Sequence, residues 1–513
     1  MTDARTPGSW TPAWVRDAVF YQIFPDRFAS SQRVVKPGHL EPWDGPPTTY
    51  GFKGGDLLGI VEHLDHIQAL GANALYLNPV FQSASNHRYH TYDYLRVDPL
   101  LGGDAALREL LDACHARGMR VILDGVFNHA SRGFWPFHHV METGRSSPYR
   151  DWFFFDVAAL EAGRPLRAYP DQTAEPAAET SALARLGYEA WWGLPALPKL
   201  NTTNPDVRAY LLDVAEHWIR FGADGWRLDV PEEVPDDFWR AFRTRVRAAN
   251  PEAYIVAEIW HEQPDDLHGD MYDALMGYPL AAAILSFVAA TTLDRHLVDQ
   301  HETLRPMIWP TDGAGFAERL SRAMTVYPRD VTEVQLHLLG SHDTPRFLTM
   351  AGGDASALRL ATLLQMTLPG APSIYYGDEV GLTGGMDPGC RGTMPWDRPE
   401  MWDHGLLAFV AGAGSLRQAL PVLRHGTFEV IATQGSAIAF RRRLATDDAV
   451  IAVNAGGVAE LLYLPVPGLE GRTLVPRRWP GCPAGNVSDE IPVIDGWAAI
   501  ELAPRDGAVL VAT

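Results

Sequence analysis

The chain has 513 residues, 63 acidic against 43 basic side chains, a formal net charge of -20 and three cysteines. That length predicts one large core of roughly 250 to 400 residues with satellite domains. The acidic balance argues against nucleic acid or an anionic membrane surface as a partner and fits a neutral substrate. Cys114, Cys390 and Cys482 cannot all pair, which permits a reducing compartment.

Residues 1–18 are polar and proline-containing, with neither a basic start nor an apolar core of the kind a secretory signal requires, so they read as a short extension on a cytoplasmic protein. A first strand covers residues 19–24. Asp56 then caps a helix through Ile60, Val61, Leu64 and Ile67 that stops at Gly71, and a strand follows at 74–77. Asp104 is placed to cap a second helix, with Leu107, Leu110, Leu111 and Cys114 at helical spacing and Gly118 as its stop before a strand at 120–124. Asn204 and Pro205 read as cap and first residue of a third, with Tyr210, Leu211, Val214 and Trp218 on one face and Gly222 closing it. Further strands fall at 223–230, 254–258, 274–278, 334–340 and 373–376. Eight strands alternating with helices predict an α/β fold, a (β/α)8 TIM barrel built from residues 19–129 and 204–425.

Two regions break the alternation. Residues 130–203 are rich in aromatics and proline and too long for a bare loop, which predicts an inserted domain after the third strand. Residues 426–513 change to short alternating runs and predict a C-terminal β-sandwich. The low-charge stretch 280–293 is too short to span a bilayer and suits a buried helix, so no membrane partner is expected.

The chemistry concentrates in five segments: Asp124-Gly-Val-Phe-Asn-His129, Leu197-Pro-Lys-Leu-Asn201, Gly225-Trp-Arg-Leu-Asp229, Ala257-Glu-Ile-Trp260 and Ser341-His-Asp343. All but the Leu197 segment close apolar runs, so their polar residues project from strand carboxyl ends, where active sites of such barrels sit. Arg227 and Asp229 point to one face of their strand, and the guanidinium favours the ionised carboxylate. Asp229 is therefore a nucleophile candidate. Glu258 ends the next strand, and the pair suits retaining glycoside chemistry, in which two carboxyl groups about 5 to 5.5 Å apart act as nucleophile and acid. A third acid, Asp343, crowds them and raises one pKa so that Glu258 can stay protonated. Asp124, Asn128 and His129 also admit reading as a metal site, but a hard cation wants more oxygens than that segment offers, and no metal ligand is assigned.

These segments, with Gly54-Gly-Asp-Leu-Leu-Gly-Ile60 and Gly370-Ala-Pro-Ser-Ile-Tyr-Tyr-Gly-Asp-Glu379, resemble the signature regions of the α-amylase family of glycoside hydrolases, in the family's order. The resemblance implies Asp229 as nucleophile, Glu258 as acid/base and Asp343 as the acid that holds substrate hydroxyls. Substrate contacts are implied for Arg227, His129 and His342, for Tyr89 as the ring on which the reacting sugar stacks, and for Trp260 on the leaving-group side. The Leu197 segment and Asp229-Val-Pro-Glu-Glu233 are similar to the neopullulanase, cyclomaltodextrinase and maltogenic amylase group, with Glu233 at the expected spacing and Leu197, Pro231, Glu232 and His90 departing from its usual residues. The implied activity is retaining hydrolysis of α-1,4 links in malto-oligosaccharides, cyclomaltodextrins, pullulan or starch, with some transglycosylation. A glucanotransferase or exo-acting α-glucosidase on the same scaffold is the alternative, and an inactive sugar-binding relative the alternative of another class. No cofactor is required. Calcium is possible, although residues 29–40 lack the Asp and Asn cluster that often binds it. That group usually carries an extra N-terminal domain that builds its dimer, and with the first strand near Val19 a monomer with an open cleft is expected.

Overall fold

The computed structural model describes residues 10–170, 181–482 and 487–513, so parts of the extension, of the predicted inserted domain and of the C-terminal region lie outside the described residues. Eight parallel strands form the central sheet: β1 (Phe20–Ile23), β2 (Ala74–Leu77), β3 (Arg120–Gly125), β4 (Gly225–Leu228), β5 (Tyr254–Ala257), β6 (Ala274–Leu275), β7 (Leu336–Leu338) and β8 (Ala371–Tyr375). Their spatial order is β6-β5-β4-β3-β2-β1-β8-β7. A parallel bridge from Met276 to Leu336, with Gly277 N donating to Leu336 O at 2.8 Å, joins the two ends and closes the ring. The strands are buried on both faces, as closure requires. Phe20, Ala74, Tyr76, Ile122, Tyr254 and Val256 fill the interior, while alternate residues such as Tyr21, Leu75, Val121 and Ile255 pack outward against the helices. Trp14, on the turn Ala13–Asp17, closes the amino-terminal end of the barrel and donates its indole hydrogen to Glu252 O.

The caps follow the sequence at Asp56, which accepts from Gly59 N at 2.7 Å, and at Asn204, which accepts from Asp206 N and Val207 N at the head of helix Pro205–Arg220. Two details differ. Helix Gly103–Ala116 is preceded by Gly102 at φ 98°, and Asp104, inside its first turn, accepts from Val97 N and Arg96 instead. The helix after Asp56 breaks at His63, whose Nδ1 pairs with Gly59 O and whose ring lies 3.9 Å from that of Trp396.

After β3 the chain forms helix Trp135–Thr143 and several short turns, held together by isolated antiparallel bridges His129 to Lys199, Phe153 to Leu200, Phe155 to Tyr188 and Ala190 to Pro198. Phe137, Phe153, Phe155 and Tyr188 make its aromatic centre. The C-terminal strands are β9 (Thr427–Gln434), β10 (Ala437–Leu444), β11 (Asp447–Asn454), β12 (Glu460–Pro465), β13 (Thr473–Pro476), β14 (Ile491–Pro492), β15 (Trp497–Leu502) and β16 (Asp506–Ala512). A sheet ordered β9-β10-β11-β16-β13-β14 faces the pair β12-β15 across a core of Ala439, Val450, Leu462, Leu464, Ile500 and Leu510. Among the described residues no helix is long and apolar enough to cross a membrane.

Candidate active site

The carboxyl ends of β3, β4 and β5 lie side by side, and the backbone ladder continues past them through Asp229 N to Gly125 O and Glu258 N to Leu228 O, both 3.0 Å. That continuation fixes Asp229 and Glu258 as neighbours. Arg227, fully buried, reaches three carboxylates: Nη1 lies 2.7 Å from Asp124 Oδ1 and 3.1 Å from Asp229 Oδ1, and Nη2 lies 2.8 Å from Glu258 Oε2. Val230, directly after Asp229, holds φ 36° and ψ 54°, a conformation that costs a β-branched residue about 1–3 kcal/mol, and its N–H faces Glu258 Oε2 at 3.4 Å. The strain turns the chain sharply at the point where the two acids meet.

On the opposite side, Tyr89 donates to Asp124 Oδ2 at 2.7 Å and lies 2.7 Å from His342 Nε2, with the two rings parallel at 5°. The amide nitrogens of Asn78 and Gln22 both point at His342 Nδ1, at 3.0 and 3.1 Å, which makes Nδ1 an acceptor and leaves the proton on Nε2. That nitrogen also lies 3.0 Å from Asp343 Oδ2. Arg391 Nη2 holds the other oxygen of Asp343 at 3.1 Å, and its Nε donates to His342 O. The predicted residues Tyr89, Arg227, Asp229, Glu258, His342 and Asp343 are thus brought into one network.

The other three sit at its margin. Trp260 stacks on Tyr278 at 3.6 Å and lies 5.5 Å from His301. Glu233 pairs with Lys199 at 2.7 Å on an exposed rim. His129 is buried and stacks on Trp191 at 5.1 Å, with Asn128 Nδ2 3.3 Å from its Nδ1. Sequence reasoning missed Arg391, Asn78, Gln22 and Tyr76, whose hydroxyl donates to Asp124 Oδ2 at 2.9 Å, and gave Asp124, within a signature segment, no role of its own beyond a metal-site reading. Arg391 lies in the loop after β8, where no strand period points to it. Asp124, Tyr76 and Gln22 carried the signal of polar residues within buried strands.

Burial sets the electrostatics, modified by the charges nearby. It lifts Glu258 to about 7, against the opposing pull of Arg227 and with help from Asp343 and Asp124. It raises Asp229 too, further than Arg227 lowers it. Asp343 goes the other way: although burial pushes it up, His342 and Arg391 bring it well below the usual carboxylate range. Burial lowers His129 to about 3 and raises the Tyr89 hydroxyl far above its usual value.

Residues 22–406 match the model of the alpha amylase catalytic domain. The chain belongs to the α-amylase family. It is similar to a cyclomaltodextrinase from a Bacillus species, 44% identical over 447 residues that cover 86% of this chain and 73% of that protein. Among solved structures it is similar to Ttha1563 from Thermus thermophilus, at TM-score 0.86 and 45% identity over 98% of this chain and 100% of that one. It is also similar to a debranching enzyme from Nostoc punctiforme, at TM-score 0.84 and 42% identity over 98% of this chain and 99% of that one. The protein is a glycoside hydrolase of this family, with the family's barrel and a second, antiparallel domain.

Proposed function

We propose that the site hydrolyses α-glucosidic bonds of α-glucans by double displacement, with α-1,4 links in malto-oligosaccharides, cyclomaltodextrins, pullulan or starch as substrates and with some transfer to sugar acceptors. The observation that carries this reading is the placement of Asp229 and Glu258 on two nitrogens of one buried guanidinium, at adjacent strand ends. Asp229 attacks the anomeric carbon while Glu258 gives its proton to the departing glycosidic oxygen. The charge developing on the sugar ring favours the ionised form of Asp229, so the proton of the pair settles on Glu258. In the second step Glu258 takes a proton from water, and the oxygen of that water replaces Asp229 on the anomeric carbon.

Asp343, kept ionised, accepts hydrogen bonds from sugar hydroxyls, and His342, held by Asn78 and Gln22, donates beside it. Tyr89 offers its ring to the reacting sugar, and Arg227 balances the acids. His129 borders the same sugar, and Trp260, Glu233 and Lys199 border the acceptor. Similarity to the cyclomaltodextrinase supports α-1,4 action, while similarity over nearly the whole chain to the debranching enzyme favours a second reading, cleavage of α-1,6 links. Chromatography of pullulan digests decides: panose or isopanose marks α-1,4 cleavage and maltotriose marks α-1,6. The presence of all three acids argues against an inactive relative. A product profile on maltotriose separates hydrolase from glucanotransferase or exo-acting α-glucosidase.

Metal independence belongs to the same reading. In the loop where the family often holds calcium, Lys36 Nζ lies 2.7 Å from Oδ2 of the fully buried Asp56 and 3.1 Å from Leu100 O, and an ammonium there repels a divalent cation. A cytoplasmic location is supported by three cysteines that are all free in the structure. A monomer with an open cleft completes the reading, tested by light scattering with relative rates on γ-cyclodextrin and soluble starch.

A further inference from the structure

Three rings run outward from the site in one near-parallel stack. His129 is buried; its ring lies 5.1 Å from Trp191 at 15°, and Trp191 lies 4.5 Å from Trp192 at 11°. Trp192 ends the stack with 82% of its surface exposed, the highest value among the exposed tryptophans. Its inner face covers Trp191 and its outer face meets solvent. The backbone holds it there under strain, since Trp192 has φ 50° and ψ 22°, left-handed values that a bulky residue rarely adopts.

The turn that imposes this conformation is tightly braced. Trp191 N donates to Leu197 O at 3.0 Å, Gly193 N to Ala190 O at 2.9 Å, and Arg185 Nη2 to Gly193 O at 2.6 Å. Bridges from Ala190 to Pro198 and from His129 to Lys199 tie the same strap to the segment that carries the Lys199–Glu233 pair. Exposing an indole and straining its backbone both cost free energy, and among the described residues no ring contact on the outer face offsets either. Strain of this kind gathers at ligand clamps. A flat, uncharged π-surface in continuity with a site for neutral polyols fits the C–H face of a pyranose ring.

We propose that Trp192 is an outer subsite, a platform on which a glucose unit remote from the scissile bond stacks when an α-glucan chain is bound. The inference rests on the α-glucan reading of the main site. It predicts a dependence on chain length, because only a chain long enough to leave the cleft reaches the stack.

The test compares maltoheptaose with maltotriose. In Trp192→Ala the KM for maltoheptaose should rise roughly three- to tenfold, the KM for maltotriose should move far less, and Trp192→Phe should restore most of the loss. Equal changes on both substrates would mark a structural role, and no change on maltoheptaose would remove the subsite; either overturns the proposal. So does a change of oligomeric state in light scattering of Trp192→Ala, which would make the ring part of a self-interface. If Trp192→Ala does not fold, the parent protein still answers. Brief N-bromosuccinimide oxidation, mapped by mass spectrometry, should be blocked by maltoheptaose at Trp192 and not at Trp135, which is 62% exposed. Unprotected Trp192 refutes the idea. A parent enzyme that cleaves neither oligosaccharide would instead overturn the reading of the main site.

Discussion

Replacing Glu258 by Gln isolates the proton that this site is built to hold. Burial lifts the Glu258 carboxyl to about 7, with Asp343 and Asp124 adding to the shift and Arg227 opposing it. Because the protonated form is the active one in the first step, activity falls as pH rises through that value. At pH 8 about one tenth of the enzyme should carry the proton and at pH 6 about nine tenths, so kcat/KM on maltotriose should drop roughly eight- to tenfold between them. Glu258→Gln cannot donate, and the loss on maltotriose should be about 10²- to 10⁴-fold. An α-maltosyl fluoride needs no proton at its leaving group, so the variant should still release a burst of fluoride, and that burst should have no alkaline limb near pH 7. Stopped-flow fluoride detection between pH 5 and 9 measures both. A limb that persists in the variant, or a variant as active as the parent on maltotriose, would refute the assignment of the acid.

Other outcomes follow from the same charges. Arg227→Met leaves Asp124, Asp229 and Glu258 buried without their shared cation, which should cost about 3–5 kcal/mol of stability at neutral pH. The unpaired acids then bind protons more tightly folded than unfolded, so the deficit should shrink as pH falls toward 5; calorimetric melting at pH 7.5 and 5 checks the sign. Lys36→Met removes the ammonium over Asp56, which keeps its bonds from Ser31 N and Gly59 N, and should cost roughly 1–3 kcal/mol. Melting of the parent should be the same with a chelator as with added calcium, whereas a large chelator effect would reject the metal-free reading.

How far the sequence reached depended on distance along the chain. Strand ends were legible because period-two patterning sets which face each residue takes, and Arg227, Asp229 and Glu258 follow from it directly. Asp56 and Asn204 were legible as caps because a cap acts within three residues. Asp104 has the same residue type but lies beside Val97 N and Arg96, partners that only the packed hairpin supplies. The break at His63 needs Trp396, and the grip on Asp343 needs Arg391, both from the far end of the barrel. The raised Asp229 pKa was hidden for another reason: patterning showed the cation beside it but not the depth of burial that outweighs it.

The covalent role of Asp229 is the claim on which the mechanism stands. Proton NMR of the newly released reducing end, recorded before mutarotation, tests it most directly. Attack by Asp229 followed by water predicts the α-anomer first. Initial β-anomer would mean a single displacement by water, and would contradict the assignment of nucleophile and acid alike.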